Sequence, residues 1–175
     1  MSAPQTQKDL EEYYNPAAAI FVDRYGRRHV PDFGKDKVEN RSGVFAVIVA
    51  DHHILLTCPP WAPDCAELPG GGVETGETDM QALKREVFEE TGEALPEDTR
   101  PGGPVEHTLN FYAENEDVFI RYQQRFYNFR LSGLNKQGKT PYTTKEGHTG
   151  FWHPFDSLND LTLRFRHGDI IENTV

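Results

Sequence analysis

The sequence predicts an α/β domain, a mixed sheet sandwiched with helices, and three observations carry that reading. Runs of β-rich residues precede a single strongly patterned helix near residues 79 to 91, further strand-like runs follow it, and a helical stretch closes the pattern near Phe155 to Leu161. A chain of 175 residues is long enough for one domain with a real core. Residues 1–40 read as an N-terminal extension and residues 41–175 as the domain proper.

Along the chain, residues 1 to 16 form a polar lead with one or two helical turns before Pro16. Ala17 to Val22 and Arg27 to Val30 flank Arg24-Tyr25-Gly26 and read as a short hairpin. Gly43 to Ala50 and Ile54 to Thr57, with Asp51, His52 and His53 between them, predict a buried hairpin. The segment CPPWAPDCAELP that follows is irregular by its four prolines and would rim a site on the approach to Gly70. Gly70, Gly71 and Gly72 permit backbone conformations closed to other residues and a close approach to a ligand. Thr78 with Gln81 three residues on is a capping box, and Gly92 stands where a left-handed residue ends a helix. Val105 to Tyr112 and Asp117 to Leu131 predict an antiparallel hairpin joined by Ala113-Glu114-Asn115-Glu116, and Gly150 to His153 a further strand. There is no internal repeat and no low-complexity tract.

Composition narrows the function classes. The formal net charge is −10, and nine acidic residues between Glu67 and Glu97 stand against only Lys84 and Arg85. No basic tract offsets this, so a nucleic-acid polymer or an anionic membrane is disfavoured as a partner, while small phosphorylated ligands are admissible if metal ions screen the carboxylates. Cys58 and Cys65 have no further ligands at zinc spacing and read as free thiols. The N-terminus lacks a signal pattern and no apolar run reaches membrane-spanning length, so the expected location is cytoplasmic.

The helix carries the chemistry. It turns about 100° per residue, which puts Glu86, Glu89 and Glu90 within an arc of roughly 100°. Met80, Leu83 and Val87 form the adjoining apolar stripe. Three convergent carboxylates repel one another, and the face is stable only if solvated or neutralised by a hard cation such as Mg²⁺ or Mn²⁺.

The segment GGVETGETDMQALKREVFEETG resembles the Nudix box, Gly-x5-Glu-x7-Arg-Glu-U-x-Glu-Glu-x-Gly-U, with U a bulky aliphatic. Gly71, Glu77, Arg85, Glu86, Val87, Glu89, Glu90 and Gly92 match, eight of the nine specified positions. The ninth is Glu93, a departure at the helix exit. The resemblance, covering roughly residues 43 to 165, implies a Nudix hydrolase of the MutT-like family with a Nudix-type α/β/α sandwich and mixed sheet. It implies metal-dependent hydrolysis of a pyrophosphate bond by water, in a nucleoside diphosphate derivative such as a sugar nucleotide, an ADP-ribose-like compound or a dinucleoside polyphosphate. A nucleoside triphosphate house-cleaning enzyme or a non-catalytic nucleotide-binding protein of the same fold are the alternatives.

On that resemblance Glu86 and Glu90 are expected metal ligands, Glu89 a ligand or general base, and the Gly71 carbonyl a further ligand. Arg85 would orient a glutamate, and Glu77 would be its structural partner. Glu146 is the candidate base in the downstream loop TTKEGHTGFW, while His148 and His153 read as structural histidines. Arg121 and Arg125, on one side of a strand, and Trp61 are the candidates for substrate contact, with Phe111, Tyr112 and Trp152 as further aromatics able to stack on a base. The proline that marks ADP-ribose hydrolases is absent from the neighbourhood of Thr108, and Tyr112 only approaches the tyrosine position of dinucleoside polyphosphate hydrolases. The expected partner is a small nucleotide, and a homodimer is compatible with the sequence.

Overall fold

A computed structural model of the chain describes residue 15 and residues 18–132, 141–165 and 167–174. The expected N-terminal helical turns lie outside the described residues. The chain divides into two compact units, Met1–Gly43 with Glu106–Arg125, and Val44–Val105 with Phe126–Val175.

In the first unit, β1 (Phe21–Val22) and β2 (Arg28–His29) pair antiparallel, Phe21 opposite His29. They are shorter than the hairpin read from the sequence because Asp23 draws the chain into a tight turn. Its fully buried carboxylate accepts from the Tyr25 and Arg27 amides at 2.8 and 2.9 Å, from Arg27 Nε at 2.6 Å, and faces His29 Nε2 at 2.8 Å. Burial alone would raise the Asp23 pKa, but the bonds from His29 and Arg27 hold it below the ordinary carboxylate range. Val22 pairs in parallel with Phe111 of β6 (Gly102–Ala113), and the Phe21 ring meets Phe119 edge-on at 5.1 Å.

In the second unit, β3 (Val38–Ala50, which begins in the first unit) and β4 (His53–Cys58) form the expected buried hairpin. The turn needs only Asp51 and His52, both at positive φ, 45° and 59°, the mirror-image turn whose twist suits a two-residue hairpin. The strand order is β6, β7 (Val118–Arg130), β3, β4, β9 (Thr149–Pro154), β8 (Tyr142–Thr143), with β5 (Gly70–Gly72) laid on β3. Helix α1 (Asp79–Thr91) has the anticipated limits: the Thr78–Gln81 capping box is formed and Gly92 closes the helix at φ 73°. Its apolar face, with Ala82, Leu83 and Val87 wholly buried, packs on Val44, Ala46, Ile48, Leu55 and Phe129. Met80 lies at the edge of this core.

The C-terminal part departs from expectation. The stretch near Phe155 to Leu161 is a 3-10 helix, Phe155–Asp160, and the α-helix is α2 (His167–Thr174), inserting His167, Ile170 and Ile171. The residues leading into α2 brace those leading into the glycine loop. Ala66 N–H donates to Thr162 O (2.9 Å), Arg164 N–H to Ala66 O (3.0 Å), and Leu68 N–H to His167 Nδ1 (3.0 Å). The His167 ring sits among Phe45, Phe126 and Phe165. Cys58 and Cys65 are free thiols. Among the described residues no helix is long and apolar enough to cross a membrane.

His167 provides a pH test. Burial, aided by the nearby Arg164 charge, pushes its pKa from 6.5 down to about 3. Between those values the unfolded chain binds a proton that the native chain refuses, so this group's contribution to stability is complete above the upper value and is lost as pH falls. His167→Asn keeps an acceptor for Leu68 but does not titrate. In urea melts, the stability advantage of wild type over this variant is expected to shrink on acidification below pH ~6.5 by up to about 1.4 kcal/mol per pH unit. A constant difference would mean that His167 titrates normally.

Candidate active site

The glycine loop and α1 meet carboxylate to backbone. Gly71 is bare where the Glu86 side chain lies, and a Cβ there would come within 2.6 Å of Glu86 Oε1. Gly70, at φ 153°, has no room either, since a Cβ would press to 2.2 Å from Val44 O. Gly72 faces open space, so the requirement for glycine rests on the first two of the three. The Gly70 amide donates to Glu90 Oε2 at 2.9 Å, and the Thr57 hydroxyl to Glu90 O at 3.2 Å.

Arg85 organises the face. Its guanidinium bonds Glu77 in a fork, Nε to Oε1 at 2.8 Å and Nη2 to Oε2 at 2.9 Å. Nη1 reaches Glu86 Oε1 at 2.7 Å and Glu89 Oε2 at 3.2 Å, and Nη2 also donates to Gly72 O at 3.0 Å. Five contacts use all five N–H donors of an arginine, an arrangement that lysine cannot reproduce. Arg85 holds the Glu77 carboxyl down to about 2, with help from the Glu74 amide, and its own pKa is raised in return.

Glu86 and Glu90 behave oppositely. Burial raises both, Glu90 well above the usual carboxylate range, and the Arg85 bond to Glu86 and the Gly70 amide on Glu90 only partly offset it. Repulsion adds to the shift, from Glu89 and Glu146 at Glu86, and from Glu86, Glu67 and Glu146 at Glu90. Among the described residues, no three Asp, Glu, His or Cys side chains stand together as a finished metal site. Arg85 Nη1 bonds both Glu86 and Glu89. The donor set still suits a hard divalent cation, being all oxygen, crowded, and short of positive charge at the two part-buried carboxylates.

Around this face the structure brings together some residues anticipated from the sequence and separates others. Glu89 and Glu146 line one cavity of about 1020 Å³, with Trp152 on its wall. Trp61, Arg121 and Arg125 are not among the residues lining it. Trp61 instead carries the Arg164 guanidinium 4.1 Å over its ring, and Arg121 and Arg125 belong to β7 in the first unit. Tyr112, also in the first unit, stacks on His29 and Phe119 and donates to Asp117 at 2.5 Å. His153 bonds Ser157, the structural role anticipated for it.

Three residues enter that the sequence reading did not assign to the site. His148 brings Nε2 to 3.4 Å from Glu90 Oε1. Its spacing two residues beyond Glu146 was the available signal. Glu67 adds its charge to the Glu90 environment and is bonded by Arg164 at 2.5 Å. These partners are 97 residues apart, and no local pattern could have paired them.

Comparison with known proteins agrees with this geometry. A family model described as "NUDIX domain" matches residues 39–174. The chain is 27% identical over 126 residues to an RNA pyrophosphohydrolase of Vibrio atlanticus, spanning 65% of this chain and 73% of that one. It resembles the crystal structure of a MutT NUDIX hydrolase from Burkholderia pseudomallei, with TM-score 0.55, 27% identity, and coverage of 78% of this chain and 99% of the other. The fold is also that of the E. coli dihydroneopterin triphosphate pyrophosphohydrolase, with TM-score 0.59, 23% identity, and coverage of 79% and 98%.

Because every donor of Arg85 is engaged, Arg85→Lys keeps the charge and loses the fork. Turnover is expected to fall about 10–100-fold through misplaced carboxylates, with a lowered melting temperature. An unchanged rate would show that the orientation of Glu86 and Glu89 does not depend on this side chain.

Proposed function

This chain belongs to the Nudix family of hydrolases, and from that premise we propose that it cleaves a pyrophosphate bond in a nucleoside diphosphate derivative by attack of water, using Mg²⁺ or Mn²⁺. The observation that carries the reading is the pair of part-buried carboxylates, Glu86 and Glu90, set against the glycine loop with too little positive charge around them. Glu86 and Glu90, with Glu89 and the Gly71 carbonyl, are the groups to hold the cation. When bound, a divalent cation neutralises phosphate oxygens and makes a coordinated water more acidic.

The chain's own residues account for the rest. Arg85, tied to Glu77 and Gly72, keeps Glu86 and Glu89 in fixed rotamers on the helix face. Glu146, across the cavity that Glu89 also lines, is the group to accept the proton of the attacking water. Gly70 and Gly71 let the loop backbone lie close against Val44 and the Glu86 carboxylate, an approach that a side chain at either position would block. A net charge of −10 favours a small phosphorylated substrate over a nucleic-acid backbone, although the Vibrio relative is named for RNA.

Glu90→Gln is expected to lower kcat by at least about 100-fold with an unchanged circular dichroism spectrum, and near-normal turnover would remove Glu90 from the metal site. Glu146→Gln should cost about 10²–10⁴-fold in kcat with an unchanged circular dichroism spectrum, and turnover equal to wild type would discard it as the base. The raised carboxylates also predict a linkage. Groups whose native pKa is raised lose stabilisation as pH rises through that pKa, and a cation relieves the loss. Mg²⁺ should therefore raise the melting temperature more at pH ~8 than at pH ~5. A shift independent of pH would place the binding elsewhere, and turnover that persists in chelator would end the metal reading altogether.

A further inference from the structure

We propose that the cavity beside α1 is a binding site for an organic cation, the positively charged end of the group joined to the diphosphate. The proposal deepens the pyrophosphohydrolase reading and rests on it for the placement of the diphosphate. The cavity, of about 1020 Å³, lies between the C-terminal half of α1 and the β8–β9 pair. Its wall combines aromatic rings with carboxylates.

The rings are Phe88, Tyr142, Phe151 and Trp152. Phe88 and Tyr142 are 59% and 56% exposed, a costly placement for large apolar side chains that nothing in the core requires. The Tyr142 ring lies close against the helix end, since a Cβ at Gly92 would come within 2.6 Å of it. Trp152 is held from two sides. It packs on the core cluster, and its indole N–H donates to Glu93 Oε1 at 3.2 Å.

Glu93 is the informative residue. It occupies the one box position that departs from the family pattern, where a bulky aliphatic is expected. The burial which that aliphatic would supply is provided two residues later by Leu95, 7% exposed in the core cluster. The position is thereby released for a carboxylate that orients Trp152 and lines the cavity. Among the described residues Glu89, Glu93 and Glu146 share the lining with one basic residue, Lys145.

Aromatic faces carry the negative end of the ring quadrupole, and carboxylates reinforce it. Such a wall repels a phosphate or a sugar acid. A neutral base would gain stacking there and hydrogen bonds from its N–H groups, but only a cation draws on the summed charge of three carboxylates. A quaternary or primary ammonium gains from both. Because Glu89 and Glu146 belong both to this wall and to the proposed catalytic face, a cation seated here is one linker away from the pyrophosphate.

Binding can be read without turnover. The chain has two tryptophans, and the ring of Trp61 is already covered by Arg164, so its indole N–H is an internal control for Trp152. The probes are choline and its neutral carbon isostere, neohexyl alcohol, each titrated in Mg²⁺ into the ¹⁵N-labelled full chain. The expected result is a saturable shift of the Trp152 indole resonance with choline, about tenfold weaker binding of the isostere, and a still Trp61. Glu93→Gln and Tyr142→Leu should each weaken choline several-fold. Tyr142 is exposed on a short edge strand, so its variant carries the test if Glu93→Gln does not fold. Equal affinity for the isostere, an unresponsive Trp152, or joint movement of both indoles would overturn the proposal. So would uridine shifting Trp152 as strongly as choline, which would make the cavity a base-stacking site. An inactive but cation-binding protein would instead overturn the hydrolase reading and leave this one standing.

Discussion

The site depends on one guanidinium. Arg85 contacts Glu77, Glu86, Glu89 and the glycine loop at once, and each of its five N–H bonds has an acceptor. Without it, three carboxylates on one helix face would repel each other into solvent. With it, Glu77 becomes a strongly acidic anchor outside the reactive face, and the orientation of Glu86 and Glu89 is inherited from the turn before the helix. The geometry is demanding in a second way. A fork of fixed shape can satisfy this set only if the loop comes close, and the loop comes close only because positions 70 and 71 have no side chain.

The glycine loop is supported from the far end of the chain. Thr162, Arg164 and His167 bond the residues on either side of Glu67, and the Arg164 guanidinium lies between the Trp61 and Phe165 rings while pairing with Glu67. The Pro-rich segment before the loop is thus pinned by backbone and side-chain bonds although it has little regular structure. Phe165 at φ 51° marks where the chain bends to deliver His167 into the core. A neutral, acceptor-bearing histidine in an aromatic cage and a carboxylate on a stacked arginine are both costly taken singly, and each is offset by the bond that it makes to the approach to Gly70.

Much of α1 was legible before any coordinates. Thr78, Gln81 and Gly92 act through local bonds and a local φ, so their spacing is sufficient to place both ends of the helix. The hairpin from β3 to β4 was legible for the same reason, although β3 starts at Val38 rather than Gly43 and β4 gains one residue at each end, His53 joining the ladder once Asp51 and His52 accept positive φ. The short strand β5 was hidden, since three glycines carry no β-propensity and pair with β3 only through the approach that Ala46 and Pro69 make. Helix α2 was hidden too. Its apolar content is Ile170 and Ile171 beside a histidine, and it is helical because those residues fill the core beneath the loop.

The sequence by itself determined which charged groups share a face: the period of a helix brings Glu86, Glu89 and Glu90 together, and the box spacing sets Arg85, Glu77 and Gly71 beside them. Tertiary structure decided how charged that face is and what surrounds it. Burial raises Glu86 and Glu90, Glu146 and His148 come to the face from the loop between β8 and β9, and Arg164 reaches Glu67 from 97 residues away. Period and spacing act within a few turns of chain, where bonds are local. Desolvation and long-range charge exist only once distant segments exclude water from the same place.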